Sequence, residues 1–569
     1  VNHAGDLTSR RFRANFTTMK AIVKASENIT QRLTWSTALR DQAGVSRDLA
    51  NGADIPEVYG LGDAGLFDLF FGFLEKFDLM KPLHALDPGG KQRNTNVVFV
   101  AVILIYLMRV VAGLKFFWHI EPVILYSPSL MRLVGFNGRQ VQEGTCARGT
   151  HHNKTKAEDS PAEIRGPICA DSIAAQIQEI VASALEKCLN RIIATLAAHS
   201  LFPKKVRSIL DASEIQTTEK CEGCGKVTKE KAPELRRRNR HISKVLETVF
   251  GFKIWVVWDP NSKLPLAMCF DTINVADVTM AQKVIQQAIT NLGSHASIAS
   301  IDLDRGFMDG KLLHWLNSKG ITFFIPAKSS MGVYKEALAL VDTGIHKTCD
   351  RERSVGSGKN KTTVTDHYDV VGIESLTTAG FYGELGSGSH ENRKDFVANP
   401  INAVVVLDSP YKRKHAEDKP MVILTNGSVQ KPMAVYDAYD ERSEIENSVF
   451  REAKQTWFIQ RAARNNINSY RAHVYITIIA MALTTAFRTW KEKEEAAGAK
   501  GRENGMCKFR QQVQLESGNK AIVFFGERYG IFELYELLIL CGNNVLMPRG
   551  VPETISKKDI LLKYGALLE

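Results

Sequence analysis

The segments that decide the fold are three apolar runs, Val206–Ile215 (VRSILDASEI), Phe252–Pro260 (FKIWVVWDP) and Leu264–Thr272 (LPLAMCFDT). Each is rich in β-branched, aromatic or other apolar residues and has the length of a strand, and a Pro-Asn-Ser turn precedes the third. Helix and strand patterns then alternate, at Asp277–Gly293, Ala296–Phe307, Gly310–Gly320 and Ile321–Ser329. Three strands in series, followed by this alternation, predict a mixed α/β sheet.

Changes in sequence pattern away from this sheet divide the chain into four parts. Residues 1–200 predict an all-α N-terminal region, in which apolar residues at steps of three and four predict one helix over Asp171–Ser200. The α/β pattern covers 201–335. Residues 336–430 are rich in Gly, Ser and Thr with strand-like runs, which predicts a β-rich insertion. Residues 431–569 predict a helical remainder of the α/β domain and a C-terminal segment.

Charge and cysteine content indicate the partner and the compartment. The formal net charge of +11 over 569 residues favours a polyanionic partner such as nucleic acid. The nine cysteines are scattered and odd in number, which is no disulfide framework and favours a reducing cytoplasm. We therefore expect a cytoplasmic protein.

No membrane association is expected. The N-terminus is polar and basic, without the apolar core of a signal peptide. The most apolar run, Val97–Met108, is too short to span a bilayer, which needs about 20 residues. A buried core helix is the better interpretation.

Three acids have positions that suit metal-assisted phosphodiester chemistry. Such chemistry requires an activated oxygen nucleophile and a stabilised leaving oxyanion, and two divalent ions held by converging carboxylates can supply both. Asp211 and Asp304 are predicted at strand ends, and Glu446 on a helix beginning near Tyr439. Strand ends and a helix packed beside the sheet are rigid supports for such ligands.

Each of these acids has a competitor nearby. Asp302 and Asp304 point to the same side of one strand, so strand geometry alone does not separate them. Glu214 competes with Asp211. Glu444 competes with Glu446 but would face the other side of the predicted helix.

The short sequence motifs around these acids resemble those of a known family. YDERSEIENSVFREAK (Tyr439–Lys454) resembles the Tyr-x2-Arg-x3-Glu-x6-Lys signature of insertion-sequence DDE transposases, with Tyr439, Arg442 and Glu446 in register. LDASEI and LDRGFMD resemble the segments around the family's first and second catalytic Asp, and the LDRGFMD motif favours Asp304 over Asp302. The resemblance covers roughly residues 132–490.

This resemblance implies a fold and an activity. The fold would be an RNase H-like α/β core interrupted by a β-rich insertion. The activity would be cut-and-paste DNA transposition through a hairpin intermediate, with Asp211, Asp304 and Glu446 as catalytic residues that bind two Mg²⁺ (or Mn²⁺) ions per active site. The partners would be the terminal inverted repeats and target DNA, joined in a synaptic complex by a homodimer in a prokaryotic nucleoid.

Tyr439, Arg442 and Lys454 would contact DNA by analogy with the signature. Lys454 departs from the pattern, because seven residues instead of six separate it from Glu446, and the residue in register is Ala453. On a regular α-helix this turns Lys454 by about 80° from Glu446 instead of about 20°. An alternative function is therefore a decayed or co-opted transposase that only binds DNA.

Two further features have a weaker interpretation. Cys221 and Cys224 form half of a zinc site, and a complete site needs four ligands, so a hairpin tip is the favoured interpretation. The basic run at residues 231–244 is either a solvated helix face or a track for DNA phosphates.

Overall fold

The computed structural model describes residues 38–62, 64–86, 97–143, 167–231, 245–355, 362–376, 401–410, 419–495, 506–542 and 555–565. The basic run at 232–244 lies outside these residues. In the described residues before 200 the strands and α-helices are β1 (Leu39–Arg40), α1 (Gln42–Ala50), β2 (Glu57–Gly60), α2 (Ala64–Lys76), α3 (Met80–His84), α4 (Phe99–Val111), α5 (Pro128–Val134), α6 (Gly138–Glu143), α7 (Ala170–Ile177) and α8 (Ala182–Ala198).

Two helix predictions in this part can be compared with the structure. The apolar run after Val97 forms α4, in which every residue except Val100 is buried, as expected of a core helix. The helix predicted over Asp171–Ser200 is instead two helices, α7 and α8. Val181 adopts extended backbone dihedrals between them and thereby interrupts the helical hydrogen bonding.

The central elements form the sheet that the sequence predicts. They are β3 (Lys205–Thr217), β4 (Gly225–Glu230), β5 (Leu246–Asp259), β6 (Leu264–Thr272), α9 (Asp277–Leu292), β7 (Ser297–Leu303), α10 (Gly310–Ser318), β8 (Thr322–Pro326) and α11 (Gly332–Ala339). β5 is antiparallel to β3 and β6 to β5, whereas β7 is parallel to β3 and β8 to β7. The resulting order β6-β5-β3-β7-β8 is that of an RNase H-like core, which confirms the fold class.

The strands of residues 336–430 continue this sheet. They are β9 (Ile345–Val355), β10 (Thr362–Leu376), β11 (Ile401–Asp408) and β12 (Met421–Thr425). β12 pairs antiparallel with β8, so the ten-stranded sheet runs from β4 through the core to β9, with β6 beside β5. The β-rich segment is thus joined to the core by backbone hydrogen bonds.

The remaining elements are α12 (Pro432–Asp440), α13 (Arg451–Gln455), α14 (Ile467–Glu495), α15 (Met506–Ser517), β13 (Lys520–Phe525), β14 (Arg528–Glu533), α16 (Leu534–Leu540) and α17 (Lys557–Lys563). β1, β14, β13 and β2 form a second sheet of four strands. The prediction of an all-α N-terminal region therefore needs one correction. β1 and β2 have two and four residues, too few for a visible alternation, and their pairing partners lie more than 450 residues away.

The longest helix of the described residues, α14, belongs to the hydrophobic core. Its span Ile467–Glu492 is long and apolar enough to cross a membrane, but 78% of its most apolar stretch is buried inside the protein. It packs against α2, α4, α8 and β6, so one hydrophobic core joins the N-terminal helices to the large sheet. That packing is typical of the core helix of a globular protein.

Candidate active site

Strand register places Asp211 and Asp304 side by side. Leu210 of β3 pairs with Leu303 of β7 at the end of their parallel ladder, and each aspartate follows its leucine directly. Neighbouring strands lie about 4.8 Å apart, so the two backbones are adjacent at this point. Asp211 lies inside β3, which continues to Thr217 beside β5, whereas Asp304 is the first residue after β7. The prediction that Asp211 ends its strand is wrong, but Asp211 is the first residue after the ladder with β7.

Asp211 lies in an environment that penalises its charge. Its side chain is 12% exposed, and Oδ1 accepts a hydrogen bond of 2.7 Å from the backbone N–H of Ala212. Burial raises the pKa of Asp211 to about 7; Arg442 opposes this rise, whereas Glu446 and Asp304 add to it. The three predicted acids are therefore close enough to interact electrostatically.

The segment with the transposase-like signature is not one helix. α12 ends at Asp440, a turn follows, Ile445–Phe450 is π-helical, and α13 begins at Arg451. Glu446 lies on the π-helical turn with its side chain 61% exposed, next to the buried face that packs on β3. The helix predicted to begin near Tyr439 is thus replaced by a chain of shorter turns.

Arg442 is the residue that links the acids. Its Nη1 lies 3.3 Å from Oδ2 of Asp211 and 3.7 Å from Oε1 of Glu446. The guanidinium also lies 5.8 Å from the ring centroid of Tyr439. Burial disfavours the charge of Arg442, but Tyr439 and the three acids outweigh this, so its pKa is raised. A cation at this point is therefore stabilised by every acid of the predicted set.

Asp302 and Asp304 differ sharply in their surroundings. Asp302 is 0% exposed, and its Oδ2 pairs with Nη2 of Arg207 at 3.1 Å. Nη1 of Arg207 pairs with Oε2 of Glu441 at 2.6 Å, one residue before Arg442. Asp302 is thus the buried end of a network that ties β3 and β7 to the turn after α12, whereas Asp304 is partly exposed and lines a cavity.

That cavity holds part of the predicted site. Its volume is about 540 Å³, and Asp304, Tyr439 and Arg442 all line it. Two further cations, Arg305 and Lys419, also line it. With Asp440 the lining holds two carboxylates and three cations, and the excess of cations suits a phosphate-bearing ligand better than a purely apolar one.

The donor set fits a divalent metal ion in its chemistry. Carboxylate oxygens are the ligands that Mg²⁺ prefers, and Asp211, Asp304 and Glu446 can supply them from neighbouring elements. Within the described residues, no three His, Cys, Asp or Glu side chains lie together tightly enough to enclose an ion. In this conformation the guanidinium of Arg442 supplies the counter-charge that Asp211 and Glu446 require.

The π-helical turn bears on the position of Lys454. A π-type turn contains one residue more than an α-turn, and Ile445–Phe450 covers the first half of the interval from Glu446 to Lys454, where this chain has one residue more than the signature. Ala453, which occupies the signature position by count, is 1% exposed, whereas Lys454 is partly exposed. The pKa of Lys454 is lowered mainly by burial, and its charged neighbours are Glu214 and Lys229, not the three acids.

The competing acids have other partners or positions. Glu214 forms an ion pair of 2.6 Å with Lys229, and this holds it on the β3–β4 side of the sheet. Glu444 immediately precedes the π-helical turn, and the acids that raise the pKa of Asp211 are Glu446 and Asp304. Neither residue joins the group formed by Asp211, Arg442 and Glu446.

Cys221 and Cys224 lie on the connection from β3 to β4. These strands flank β5 and do not pair with each other, so the favoured hairpin tip is wrong. The connection instead docks on the residues before α14, where Glu222 forms a parallel bridge with Asn466. Both cysteines are free thiols, and they belong to no group of three His, Cys, Asp or Glu side chains that could hold a metal ion in the part of the chain that is described.

Sequence reasoning missed the residues that position the site. Arg207 and Glu441 form the network under Asp302, and Arg305 and Lys419 line the cavity. One signal was present: Arg207 is the only charge in the apolar run from Val206 to Leu210, and a charge within a buried strand needs a partner. No comparable signal in the sequence indicates that Lys419 lines the cavity.

Part of the chain matches a known protein family. Residues 202–483 match the family described as the transposase DDE domain. A solved structure, the piggyBac transposase synaptic complex with hairpin DNA, is similar over 85% of this chain and 87% of that chain, with 11% identity and a TM-score of 0.37. A likeness at that level adds nothing to the argument from strand order. No curated protein sequence matches the chain.

Proposed function

Because this chain belongs to the DDE transposase family, with its transposase domain over residues 202–483, we propose that it is a DNA transposase that cleaves transposon ends and joins them to target DNA. Asp211, Asp304 and Glu446 would be the catalytic carboxylates. The observation that carries the proposal is the meeting of two aspartates on adjacent parallel strands with the arginine and glutamate of the signature.

The metal requirement follows from the ligand chemistry. Mg²⁺ or Mn²⁺, two ions per site as in two-metal phosphoryl transfer, would be held by Asp211, Asp304 and Glu446 and would lower the barrier by activating water and stabilising the leaving oxyanion. The chain itself holds Asp211 and Asp304 at adjacent strands and Glu446 on the π-helical turn, and the Arg207 network fixes the turn that carries Arg442.

The cations would orient the DNA. Arg442 can exchange its carboxylate partners for a phosphate of the transposon end, since guanidinium pairs well with both anions. Tyr439 and Arg442 line the same cavity, so both can reach one backbone segment. Lys454 would contact a second phosphate from α13. We propose the inverted repeats and target DNA as substrates and a homodimer as the synaptic form.

The rival is a decayed or co-opted transposase that only binds DNA. The reason to consider this rival is the extra residue before Lys454. The π-helical turn supports the active enzyme, because a π-type turn accommodates one residue more than an α-turn. A stand-alone nuclease on the same core is a second rival. The proposed location, a prokaryotic cytoplasm in association with the nucleoid, is common to these possibilities.

The test uses the full chain and DNA that carries the inverted repeats flanking its gene. With Mg²⁺ or Mn²⁺ we expect nicks at the repeat ends and joining of the freed ends to target DNA, and with EDTA neither product. Cleavage without joining under every condition would identify a nuclease. Binding without any metal-dependent nicking would identify a DNA-binding derivative.

Lys454→Ala is expected to weaken DNA binding about equally for all sequences. A lysine that pairs with one phosphate displaces a counterion, so its loss reduces the slope of log K against log salt by about 1. Binding is measured by fluorescence anisotropy in EDTA over a salt series. Lys319→Ala, an exposed lysine at the end of α10, is the matched control. An unchanged slope in Lys454→Ala would remove Lys454 from the DNA interface.

A further inference from the structure

An exposed aromatic stack follows helix α4. The rings of Phe116 and Trp118 are stacked with centroids 4.5 Å apart and planes 10° from parallel. His119 stands edge-on against both rings, at 5.4 and 5.7 Å, and so fixes their orientation. Trp118 is 59% exposed, although an indole is normally well buried. The pair, called the aromatic platform below, therefore presents a preformed stacking face to solvent.

Two cations border the aromatic platform. The Nζ atom of Lys115 lies 5.2 Å from the ring centroid of Phe116, and the guanidinium carbon of Arg461 lies 5.9 Å from it. Both residues are exposed, and neither takes part in an ion pair within the described residues. Positive charge beside an open aromatic face suits a ligand that is both flat and anionic.

The platform is held in place from below. Arg109, which is 1% exposed, donates a hydrogen bond of 2.7 Å from Nη2 to the backbone carbonyl of Arg461 and one of 2.9 Å from Nη1 to the hydroxyl of Tyr106. Its guanidinium also lies 5.1 Å from the ring centroid of Phe117. Arg461 belongs to the segment between α13 and α14, so the platform adjoins the chain that leaves Lys454.

We propose that the aromatic platform binds an unpaired nucleobase of a single DNA strand, with Lys115 and Arg461 on the flanking phosphates. A base can extend the stack on the open face of Trp118, because every nucleobase has a π face and stacking tolerates any sequence. A second copy of this chain fits less well, since its net charge of +11 meets the two cations with like charge. The choice of DNA as the polyanion rests on the proposed function.

Trp118→Ala tests the proposal. We expect its affinity for an oligothymidylate of about 12 nucleotides to fall roughly 5- to 150-fold, the range for losing one stacked base. Trp118→Phe is expected to retain most of the affinity because a benzene ring still stacks. Binding of a blunt duplex is expected to stay unchanged. Fluorescence anisotropy in EDTA measures the affinities of both variants for the oligothymidylate and the binding of the blunt duplex, so no cleavage is needed.

Leu562→Ala is the matched control, since Leu562 is 58% exposed and lies on α17. Unchanged oligothymidylate binding in Trp118→Ala would overturn the proposal, and so would an equal loss with the blunt duplex. A shift in oligomeric state by sedimentation, with unchanged DNA binding, would instead identify the platform as a protein interface and overturn it as well.

Lys115→Gln keeps the test decisive if Trp118→Ala fails to fold. We expect it to weaken oligothymidylate binding and to reduce the salt slope by about 0.7, the value for one phosphate of a single strand. An unchanged slope would overturn the role of the cations. A chain that binds oligothymidylate through Trp118 but never nicks DNA would contradict the proposed transposase activity and leave this inference standing.

Discussion

Asp211→Asn is expected to abolish metal-dependent cleavage at the transposon end and, at the same time, to make the metal-free protein more stable. The activity should fall by about a thousandfold or more, the scale of loss when one member of a catalytic group is removed. Asparagine keeps the shape of the side chain but is a much weaker ligand for Mg²⁺ than a carboxylate. DNA binding in EDTA should persist.

The gain in stability follows from the buried charge. Burial raises the pKa of Asp211 from its ordinary value of 3.8 to about 7 in the folded protein. Between these values the folded state binds more protons than the unfolded state, so the stabilising contribution is complete below pH 4 and is lost as the pH rises through 7. Asparagine carries no charge at any pH. The variant should therefore gain about 2–4 kcal/mol over the wild type at pH 8 and almost nothing at pH 4.

Urea unfolding in EDTA at the two pH values measures this difference. Asp302, whose pKa burial also raises to about 7, is present in both proteins and cancels in the comparison. Asp369→Asn, on β10 and outside the site, is the control for both readouts. Full cleavage activity in Asp211→Asn would exclude Asp211 as a ligand, and equal stability at pH 8 would show that its charge carries no penalty.

Arg207→Met is expected to have the largest effect on stability. It leaves Asp302 fully buried without its partner at 3.1 Å, and breaking a buried pair in this way costs about 3–5 kcal/mol. The variant also loses the pair with Glu441, which precedes Arg442. Cleavage should therefore fall even where the protein remains folded, because the turn that carries Arg442 is no longer tied to the sheet.

The part of this stability loss that comes from the buried charge of Asp302 can be separated from the part that comes from lost packing. Burial raises the pKa of Asp302 and Arg207 opposes that rise, so without Arg207 the carboxyl takes up a proton more readily. The destabilisation should be larger at pH 8 than at pH 5. Adding Asp302→Leu to Arg207→Met should recover much of the stability, because an apolar pair leaves no buried charge.

Lys81→Met is the matched surface control. Its pair with Asp78 is 77% and 64% exposed, and such pairs contribute about 0–1 kcal/mol. Thermal and urea unfolding compare the variants. A loss in Arg207→Met no larger than that in Lys81→Met would show that the network under Asp302 is not what holds the site.

Local sequence patterns were enough to predict the core sheet. The runs that became β3, β5 and β6 are apolar and β-rich over strand lengths, and the helix after them has a clear period, so each element is marked within its own residues. Once a mixed sheet of this order is assumed, Asp211 and Asp304 must approach each other, since each follows the last paired residue of a neighbouring strand.

Pairings between distant segments left no such local mark. β1 and β2 have two and four residues, and their pairing with β14 and β13 depends on backbone groups far along the chain. The pairing of β12 with β8 is a similar case. The sequence pattern predicts that both segments are strands, but it does not predict that β12 pairs with β8. Hydrogen bonds of this kind are specified by the packed structure and not by side-chain alternation.

Asp211, Asp304 and Glu446 were predicted as the catalytic carboxylates from the sequence alone, because residue type, strand pattern and short motifs are local properties. What surrounds them was decided by the tertiary structure. The π-helical turn before Lys454, the guanidinium of Arg442 between Asp211 and Glu446, and the burial of Asp302 against Arg207 all arise where separate elements meet. Burial and distance set the energy of a charge, and neither exists until the chain has packed.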